Sequence, residues 1–340
     1  MGFPVTVVLG ASGRIGRVLR HCWPEIASQS GPQSGSLVAP LAGAEIRWQS
    51  RNPLPQQPEV AAPALLDPLE DPAGLVQLIS GAETVLCLAG SIPGRGMDLA
   101  DNTRLACAAV QAAARAAEVS GAPTARVLLS SSAAVYGNQP GLLSEDSPLS
   151  PANAYGAAKA EMEQQALALG QQLGVPVTAL RIGNIAGLDA ILGGWQPGFT
   201  LDQFADGRSP QRSYIGSVTL ARVLAALVRQ SDLPPLLNLA QSGPIEMAAL
   251  LRAAELEFAW RPAPASAISE VELDVSRLRQ VLSEAGDARL QTALSPPADA
   301  AYMVTEWAVV QPSSRHGKEA AKNPVQTLQK LLQTKDFYRS

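Results

Sequence analysis

Tyr155 and Lys159 are the residues of this sequence whose types and spacing point most directly to chemistry. Lys159 is the only lysine among the first 317 residues, and arginine carries the positive charge elsewhere in that stretch. A lysine ammonium is a compact point charge that can sit beside a phenol, whereas the planar arginine fork suits other geometries. Residues four apart lie on one helix face. We therefore expect the two side chains to work together on a proton.

Three serines precede this pair at the end of a predicted strand. The strand covers residues 126–131, and Ser130, Ser131 and Ser132 stand at its carboxyl end. Ligands of parallel α/β sheets bind at the carboxyl ends of the strands. The serines and the helix that carries Tyr155 and Lys159 can therefore meet at one ligand site.

A glycine turn follows the first predicted strand, residues 5–9, and a helix is predicted from Arg17 to about Ile26. Glycines at such a turn let the backbone approach a pyrophosphate closely. The pyrophosphate then sits at the helix N-terminus, where unpaired N–H groups favour anions. We expect a nucleotide there, contacted by Gly10, Ser12, Gly13, Arg14, Ile15 and Gly16.

Further strands and helices alternate along the chain. Strands are predicted at residues 45–49, 84–89, 126–131 and 175–182, with helices over 103–119 and 154–173 and a loop over 28–43. This alternation predicts an α/β fold, a doubly wound parallel sheet of the Rossmann type with a smaller C-terminal substrate lobe. We assign residues 1–185 to a nucleotide-binding domain, residues 186–310 mainly to the lobe, with some segments returning to the first domain, and residues 311–340 to a tail.

The second strand bears on the choice of dinucleotide. NAD-binding folds usually carry a carboxylate near its end for the ribose 2′-hydroxyl, but this strand ends in Trp48, Gln49, Ser50 and Arg51. Arg51, together with Arg14 beside the glycine turn, could instead neutralise a 2′-phosphate. The sequence therefore favours NADP, with NAD as the alternative.

Several motifs in this order resemble the extended short-chain dehydrogenase/reductase family, which includes the NAD(P)-dependent sugar-nucleotide epimerases and dehydratases. The resemblance covers roughly residues 5 to 225. It rests on the glycine turn, Leu88-Ala89-Gly90, Asn102, the serine run through Tyr136-Gly137, Tyr155 with Lys159, and Arg181-Ile182-Gly183-Asn184.

The resemblance implies a catalytic role for three residues. Ser132 would hydrogen-bond the reacting oxygen, Tyr155 would act as acid/base, and Lys159 would hold the nicotinamide ribose and lower the pKa of the tyrosine. Elementary electrostatics agrees, because a free tyrosine titrates near about 10 and a neighbouring cation stabilises its phenolate. Ser130 shares a strand face with Ser132 and is the alternative if the register differs.

The same resemblance implies lesser roles for other positions. Leu88, Ala89, Gly90 and Ser130 would line the cofactor, Asp67 would approach the adenine, Asn102 would order the active site, and Tyr136, Asn184 and Arg212 would face the substrate. Two departures weaken the substrate assignments. Asn184 is followed by Ile-Ala-Gly-Leu, where family members often have an apolar residue and Tyr-Gly-Pro, and the Arg212 strand lacks the usual paired aspartates.

Composition excludes other classes of protein. A net charge of −4 and a pI of about 5.4 argue against nucleic acid as a partner. No stretch approaches the roughly 18 apolar residues of a membrane span and no targeting segment is recognised, so we expect a cytoplasmic protein. The spacing of the three cysteines and two histidines does not match a metal site, and neither histidine belongs to a Ser/His/Asp pattern, so we expect no metal. These residues are Cys22, Cys87, Cys107, His21 and His316. A homodimer is implied by the resemblance only.

These observations predict an NAD(P)-dependent oxidoreductase that acts on a C–O centre, with a nucleotide sugar as its first expected substrate and epimerase or dehydratase chemistry. One alternative is an NADP-dependent reductase of a small carbonyl compound. Another is a non-catalytic NADP-binding sensor, against which the intact set of Ser132, Tyr155 and Lys159 argues.

Overall fold

The computed structural model describes residues 3–28, 45–57, 60–94, 98–284, 290, 294 and 298–311. The predicted tail therefore lies outside the described residues from 312 onward, as does the predicted loop from residue 29 onward. In chain order the strands are β1 (Thr6–Leu9), β2 (Ile46–Ser50), β3 (Ala64–Leu65), β4 (Thr84–Cys87), β5 (Arg126–Ser132), β6 (Leu142–Leu143), β7 (Val177–Ile182), β8 (Asn184–Ile185), β9 (Thr200–Gln203), β10 (Gln211–Ile215), β11 (Leu236–Leu239), β12 (Pro244–Glu246), β13 (Ala259–Pro262) and β14 (Glu270–Leu273).

Eight α-helices have their bounds within the described part of the chain. They are α1 (Arg14–Ser28), α2 (Pro72–Ile79), α3 (Asp101–Ser120), α4 (Ala154–Leu173), α5 (Ser217–Leu227), α6 (Met247–Ala253), α7 (Ser276–Glu284) and α8 (Ala300–Val310). The helix predicted over 154–173 has these bounds in the structure, whereas α1 begins three residues earlier than predicted. No helix among the described residues is both long and apolar enough to cross a membrane.

Seven strands form the central sheet, in the order β11-β7-β5-β4-β1-β2-β3, and every neighbouring pair is parallel. Successive side chains of β1 point to opposite faces of the sheet, and helices cover both faces. Val7 and Leu9 pack with residues of α2 and α3, while Val8 packs with residues of α1 and α5. This confirms the predicted doubly wound fold.

The chain reverses its direction of strand addition between β1 and β4. β2 and β3 extend the sheet on one side of β1, and β4, β5, β7 and β11 extend it on the other. Such a reversal opens a crevice at the carboxyl ends of the strands, where ligands bind in open α/β sheets. The glycine turn after β1 and the serines at the end of β5 both lie at this edge.

A smaller sheet has the order β12-β10-β14-β6, with β8 paired to β10, and β9 pairs with β13 separately. Two segments link the small sheet to the large one. β6, which comes from the first half of the chain, pairs with β14 in the small sheet. β11, which comes from the second half, pairs with β7 at the edge of the central sheet.

Helix α5 is buried along its whole length, and its N-terminus is capped by another helix. Gly216 has no side chain with which to cap it, but Glu306 of α8 accepts hydrogen bonds from the Thr219 amide at 3.0 Å and the Thr219 hydroxyl at 2.6 Å. The carboxyl group thus satisfies a helix donor that has no partner within the helix.

Candidate active site

A cleft of about 670 Å³ lies at the crevice between β1 and β4. It has the size of a small-molecule or cofactor site. The structure brings the following predicted residues to this cleft: Gly10, Ser12, Gly13, Arg14, Ile15, Gly16, Arg51, Asp67, Leu88, Ala89, Gly90, Asn102, Ser130, Ser132, Tyr155, Lys159 and Asn184.

The glycine turn fits a dinucleotide. Gly10 has a φ of +88°, and a Cβ there would stand 2.7 Å from the Ala89 nitrogen. A Cβ on Gly16 would stand 2.4 Å from the Gly10 oxygen. Only glycine permits this close packing of turn, helix and strand, and it leaves the N-terminus of α1 open to the cleft, where it can receive a pyrophosphate.

Asn102 orders the loop that leaves β4. Its Oδ1 accepts the Ser91 amide at 3.2 Å, and its Nδ2 donates to the carbonyl oxygens of Ser91 and Leu99 at 3.1 and 2.9 Å. The side chain is 1% exposed. Asn102 therefore fixes the segment after Gly90 against α3 and sets one wall of the cleft.

Lys159 and Tyr155 meet the end of β5. Lys159 Nζ donates to the Ser130 carbonyl oxygen at 2.7 Å and lies 5.9 Å from the centre of the Tyr155 ring. Ser132 accepts the Ala134 amide at 3.2 Å and neighbours the Tyr155 phenol. The three predicted catalytic residues therefore share one corner of the cleft.

Burial sets the protonation of this corner. It lowers the pKa of Lys159 to about 8, while the electrostatic interactions of Lys159 with Cys87 and with the Glu163 carboxylate act to raise it. Burial also raises the pKa of Tyr155, while the Ser132 hydroxyl and the positive charge of Arg14 lower it. Burial is the largest of these influences, so the pKa of the Tyr155 phenol lies above its ordinary value in the protein without a bound cofactor.

The end of β2 is organised by Gln49. Its Oε1 accepts the Gly10 amide at 2.9 Å, and its Nε2 donates to the Leu66 carbonyl at 2.6 Å. Arg51 Nη1 lies 3.7 Å from Asp67 Oδ2, and the Arg51 side chain is 56% exposed. An arginine and an aspartate thus stand together at the edge of the cleft.

Arg14 and Arg51, the two residues expected to neutralise a 2′-phosphate together, both line the cleft, and this shared role stays a prediction. Arg14 donates to the carbonyl oxygen of Leu188, which also lines the cleft. Arg51 stands after the end of β2, beside Asp67.

Tyr136 does not lie at the cleft. It is fully buried, its hydroxyl donates to Asn238 Oδ1 at 2.7 Å, and it accepts from Arg181 Nη1 at 2.9 Å. The Arg181 guanidinium also lies over its ring, 4.9 Å from the centre. The substrate role expected for Tyr136 has no support in this position, because its strand-end turn directs the ring into the core.

Arg212 lines a second hollow beside the cleft. Ala190, Ile191 and Met247 line both. Arg212 donates to three main-chain carbonyls, those of Gln211, Ile268 and Ser269. Burial lowers its pKa. The guanidinium is therefore positioned by the small sheet at the far end of a continuous depression.

Sequence reasoning missed the buried pair of Glu163 and Arg181. Arg181 Nη2 lies 2.8 Å from Glu163 Oε2, and both side chains are 3% exposed. The Ser131 hydroxyl donates to the same carboxylate. The spacing did indicate that Glu163 lies on the same helix face as Lys159, because it follows that lysine by four residues. The spacing could not indicate that Arg181 on β7 is its partner. No cluster of three metal-ligating side chains occurs among the described residues.

A doubly wound sheet with a glycine turn at its reversal point and a Ser-Tyr-Lys set at the neighbouring strand end defines a dinucleotide-dependent enzyme. The model of the NAD dependent epimerase/dehydratase family matches residues 6–191, and the chain belongs to that family. The predicted resemblance is confirmed. No curated protein sequence matches the chain.

Solved structures agree on the fold. UDP-N-acetylglucosamine 4-epimerase from Bacillus cereus is 14% identical, with 90% of this chain and 99% of that chain covered and a TM-score of 0.63. UDP-glucuronic acid 4-epimerase from Bacillus cereus, in complex with UDP-glucuronic acid and NAD, is 15% identical over 90% and 98%, with a TM-score of 0.62. The NAD dependent NDP-hexosamine 5,6-dehydratase TunA is 19% identical over 85% and 96%, with a TM-score of 0.62.

Proposed function

We propose that this protein is an epimerase or dehydratase of a nucleotide sugar, with Tyr155 as the acid/base. The observation that carries the proposal is the placement of Ser132, Tyr155 and Lys159 at one corner of a cleft that also contains the glycine turn. A structural serine, tyrosine and lysine would have no reason to converge beside a dinucleotide site.

The chain's own residues divide the work. A bound nicotinamide dinucleotide supplies the hydride acceptor and donor. Ser132 hydrogen-bonds the reacting oxygen, and Tyr155 removes or returns the proton of that oxygen. Lys159, fixed by the Ser130 carbonyl, binds the ribose hydroxyls and places a positive charge near the phenol.

A nucleotide-sugar substrate fits the two joined depressions. The sugar would lie beside Ser132 and Asn184, and the diphosphate would reach Arg212 through the passage at Ile191 and Met247. The B. cereus UDP-glucuronic acid epimerase and the protein MoeE5 have both been solved with a UDP-linked ligand and NAD. A small-carbonyl reductase remains the second candidate, because the Arg212 donors to Gln211 and Ile268 leave fewer N–H groups for a diphosphate.

For the cofactor we propose a preference for NADP(H) over NAD(H). The side chain of Gln49 is hydrogen-bonded to the Gly10 amide and the Leu66 carbonyl. Arg51 is an exposed cation just after the end of β2. A 2′-phosphate would replace Asp67 as its partner. Arg51→Ala should then raise the Kd of NADPH by about tenfold and leave that of NADH nearly unchanged; tighter binding of NADH by the wild-type protein would overturn this preference.

The deciding experiment is a panel of UDP-, GDP- and dTDP-sugars and small aldehydes or ketones, incubated with the protein and NAD or NADP. Conversion of a nucleotide sugar without net cofactor consumption supports epimerase or dehydratase chemistry. Oxidation of NADPH that depends on a small carbonyl would replace it with the reductase. Cofactor binding with no turnover of any compound would favour the non-catalytic sensor.

We also propose that the protein acts in the cytoplasm as a homodimer. Cys87 and Cys107 are free thiols, which suits a reducing compartment. The resemblance to the family is the basis for proposing a dimer, and it places the interface at α4, the helix that carries Tyr155. Light scattering after size exclusion tests it, and a mass of 35.5 kDa would indicate a monomer instead.

A further inference from the structure

Three successive serines of β5 each contact a residue on the same face of α4. Lys159 Nζ is bonded to the Ser130 carbonyl, and Ser132 neighbours Tyr155. The third contact lies outside the proposed catalytic set, because the Ser131 hydroxyl donates to Glu163. Since Tyr155, Lys159 and Glu163 are spaced by four residues, they project from the same helix face onto one strand end.

Glu163 is held from its other side by β7. Arg181 Nε lies 3.1 Å from both carboxylate oxygens, and Nη2 lies 2.8 Å from Oε2. Arg181 Nη1 also donates to the Tyr136 hydroxyl and the Glu145 carbonyl, at 2.9 and 3.0 Å. A bidentate pair within such a network has one orientation. The carboxylate therefore cannot turn away from Ser131 without breaking buried hydrogen bonds.

Stability alone does not account for this arrangement. Desolvating a buried ion pair costs about as much as its attraction returns, and apolar side chains of similar volume often serve as well. We propose that Glu163 is a positioning residue: clamped by Arg181 and bonded to Ser131, it fixes α4 in register on β5 and keeps the Lys159 nitrogen at the Ser130 carbonyl. The inference rests on the proposed role of Lys159 in binding the ribose.

The surroundings of Lys159 give this proposal a direct observable. Cys87 faces it from β4 and Glu163 from α4, while Asn102 of α3 adds no charge. The Arg181 cation is paired with the Glu163 carboxylate. Because the Glu163 charge raises the pKa of Lys159 against the effect of burial, removing that charge should lower the pKa below about 8.

The chain allows this pKa to be measured without a substrate. It has five lysines, of which four fall after residue 317. In protein labelled with ¹³C-lysine, the signal that disappears in Lys159→Arg belongs to Lys159, and its pH titration gives the pKa. The variant is Glu163→Gln, which keeps the shape, and the control is Glu161→Gln on the exposed side of the same helix.

For Glu163→Gln we expect the Lys159 pKa to fall by about half a unit or more, and the Kd of NADPH at pH 8 to rise roughly threefold or more. Glu161→Gln should change neither quantity. A Glu163→Gln protein whose Lys159 titration and NADPH affinity match those of the control would overturn the proposal.

If Glu163→Gln does not fold, Ser131→Ala decides the question, since it removes a hydroxyl and no charge. We expect it to keep the Lys159 pKa and to weaken NADPH binding roughly threefold; unchanged binding would overturn the proposal. Failure of the nucleotide-sugar panel would leave these results intact, so the proposed reaction and the positioning role are tested separately.

Discussion

Gly90 lies directly against Asn102, where a Cβ on the glycine would stand 2.5 Å from Asn102 Oδ1 and 3.5 Å from Lys159 Nζ. That oxygen accepts the Ser91 amide and so holds the loop after β4. The glycine is therefore required by the closeness of two groups that shape the cleft, and its backbone φ plays no part.

Gly90→Ala should displace Asn102 and weaken dinucleotide binding by tenfold or more, roughly the effect of losing one or two buried hydrogen bonds. The measurement is a fluorescence titration with NADH and NADPH. A double-mutant cycle with Asn102→Ala supplies the control, because the added methyl should cost less once the amide oxygen is gone. Additive effects of the two substitutions would show that the contact is not the cause.

Tyr155→Phe should reduce turnover by about 10² to 10⁴, the usual range for loss of a general acid/base. Dinucleotide binding should be retained, because Lys159 stays bonded to Ser130. Tyr136→Phe is the matched control: it loses its contacts with Asn238 and Arg181 in the core. That variant should be destabilised by about 1–3 kcal/mol yet keep its turnover. Loss of turnover in Tyr136→Phe, with turnover retained in Tyr155→Phe, would instead support the substrate role first expected for Tyr136.

Lys159→Met should make the folded protein more stable at neutral pH while impairing cofactor binding. The folded-state pKa of about 8 lies below the free value of 10.5. Between these two values the unfolded chain binds more protons, so wild-type stability rises as pH rises through that window.

At pH 7 the full cost of burying the cation is present, and its removal should add about 2–3 kcal/mol to the free energy of unfolding. The gain should shrink by about pH 10.5. Urea unfolding at pH 7 and pH 10 measures both effects. Lys330→Met, in the C-terminal part of the sequence, is the control; equal gains at both pH values would refute the linkage.

The sequence predicted the sheet, the glycine turn and α4 because each depends on local patterns: β-branched runs, glycine spacing and an alanine-rich helix. It could not predict the path of Arg14 to Leu188, since that contact joins residues 174 positions apart. Tyr136 was misplaced for a related reason, because the turn of residues 133–136 decides which way the ring points.

The buried polar contacts were harder still to foresee. Gln49 takes its place only because β1 and β2 are neighbours, and Glu163 meets Arg181 only because β7 lies beside β5. Strand order is a property of the whole chain, so spacing along the sequence does not reveal these partners. What the sequence could predict was the placement of Tyr155 and Lys159 on one helix face, because that depends on a single helix.

Glu306 offers a test of how the last described helix supports the fold. Burial raises the pKa of its carboxyl group, although the Thr219 hydrogen bonds and the Arg222 charge lower it. A raised folded-state pKa means that the folded protein holds the proton more tightly. Its contribution to stability is thus full below the unfolded pKa of about 4.3 and is lost as pH rises through the folded value.

Glu306→Ala would leave the Thr219 amide and hydroxyl without their acceptor, and we expect a loss of about 1–3 kcal/mol. Glu306→Gln should lose less, because its amide oxygen still accepts one bond, and it should lack the decline in stability that the wild type shows as pH rises through the raised pKa of Glu306. Urea unfolding at pH 5 and pH 7.5 measures this, with exposed Glu257→Gln as the control. A pH dependence in Glu306→Gln equal to that of the wild type would show that another group carries the titration.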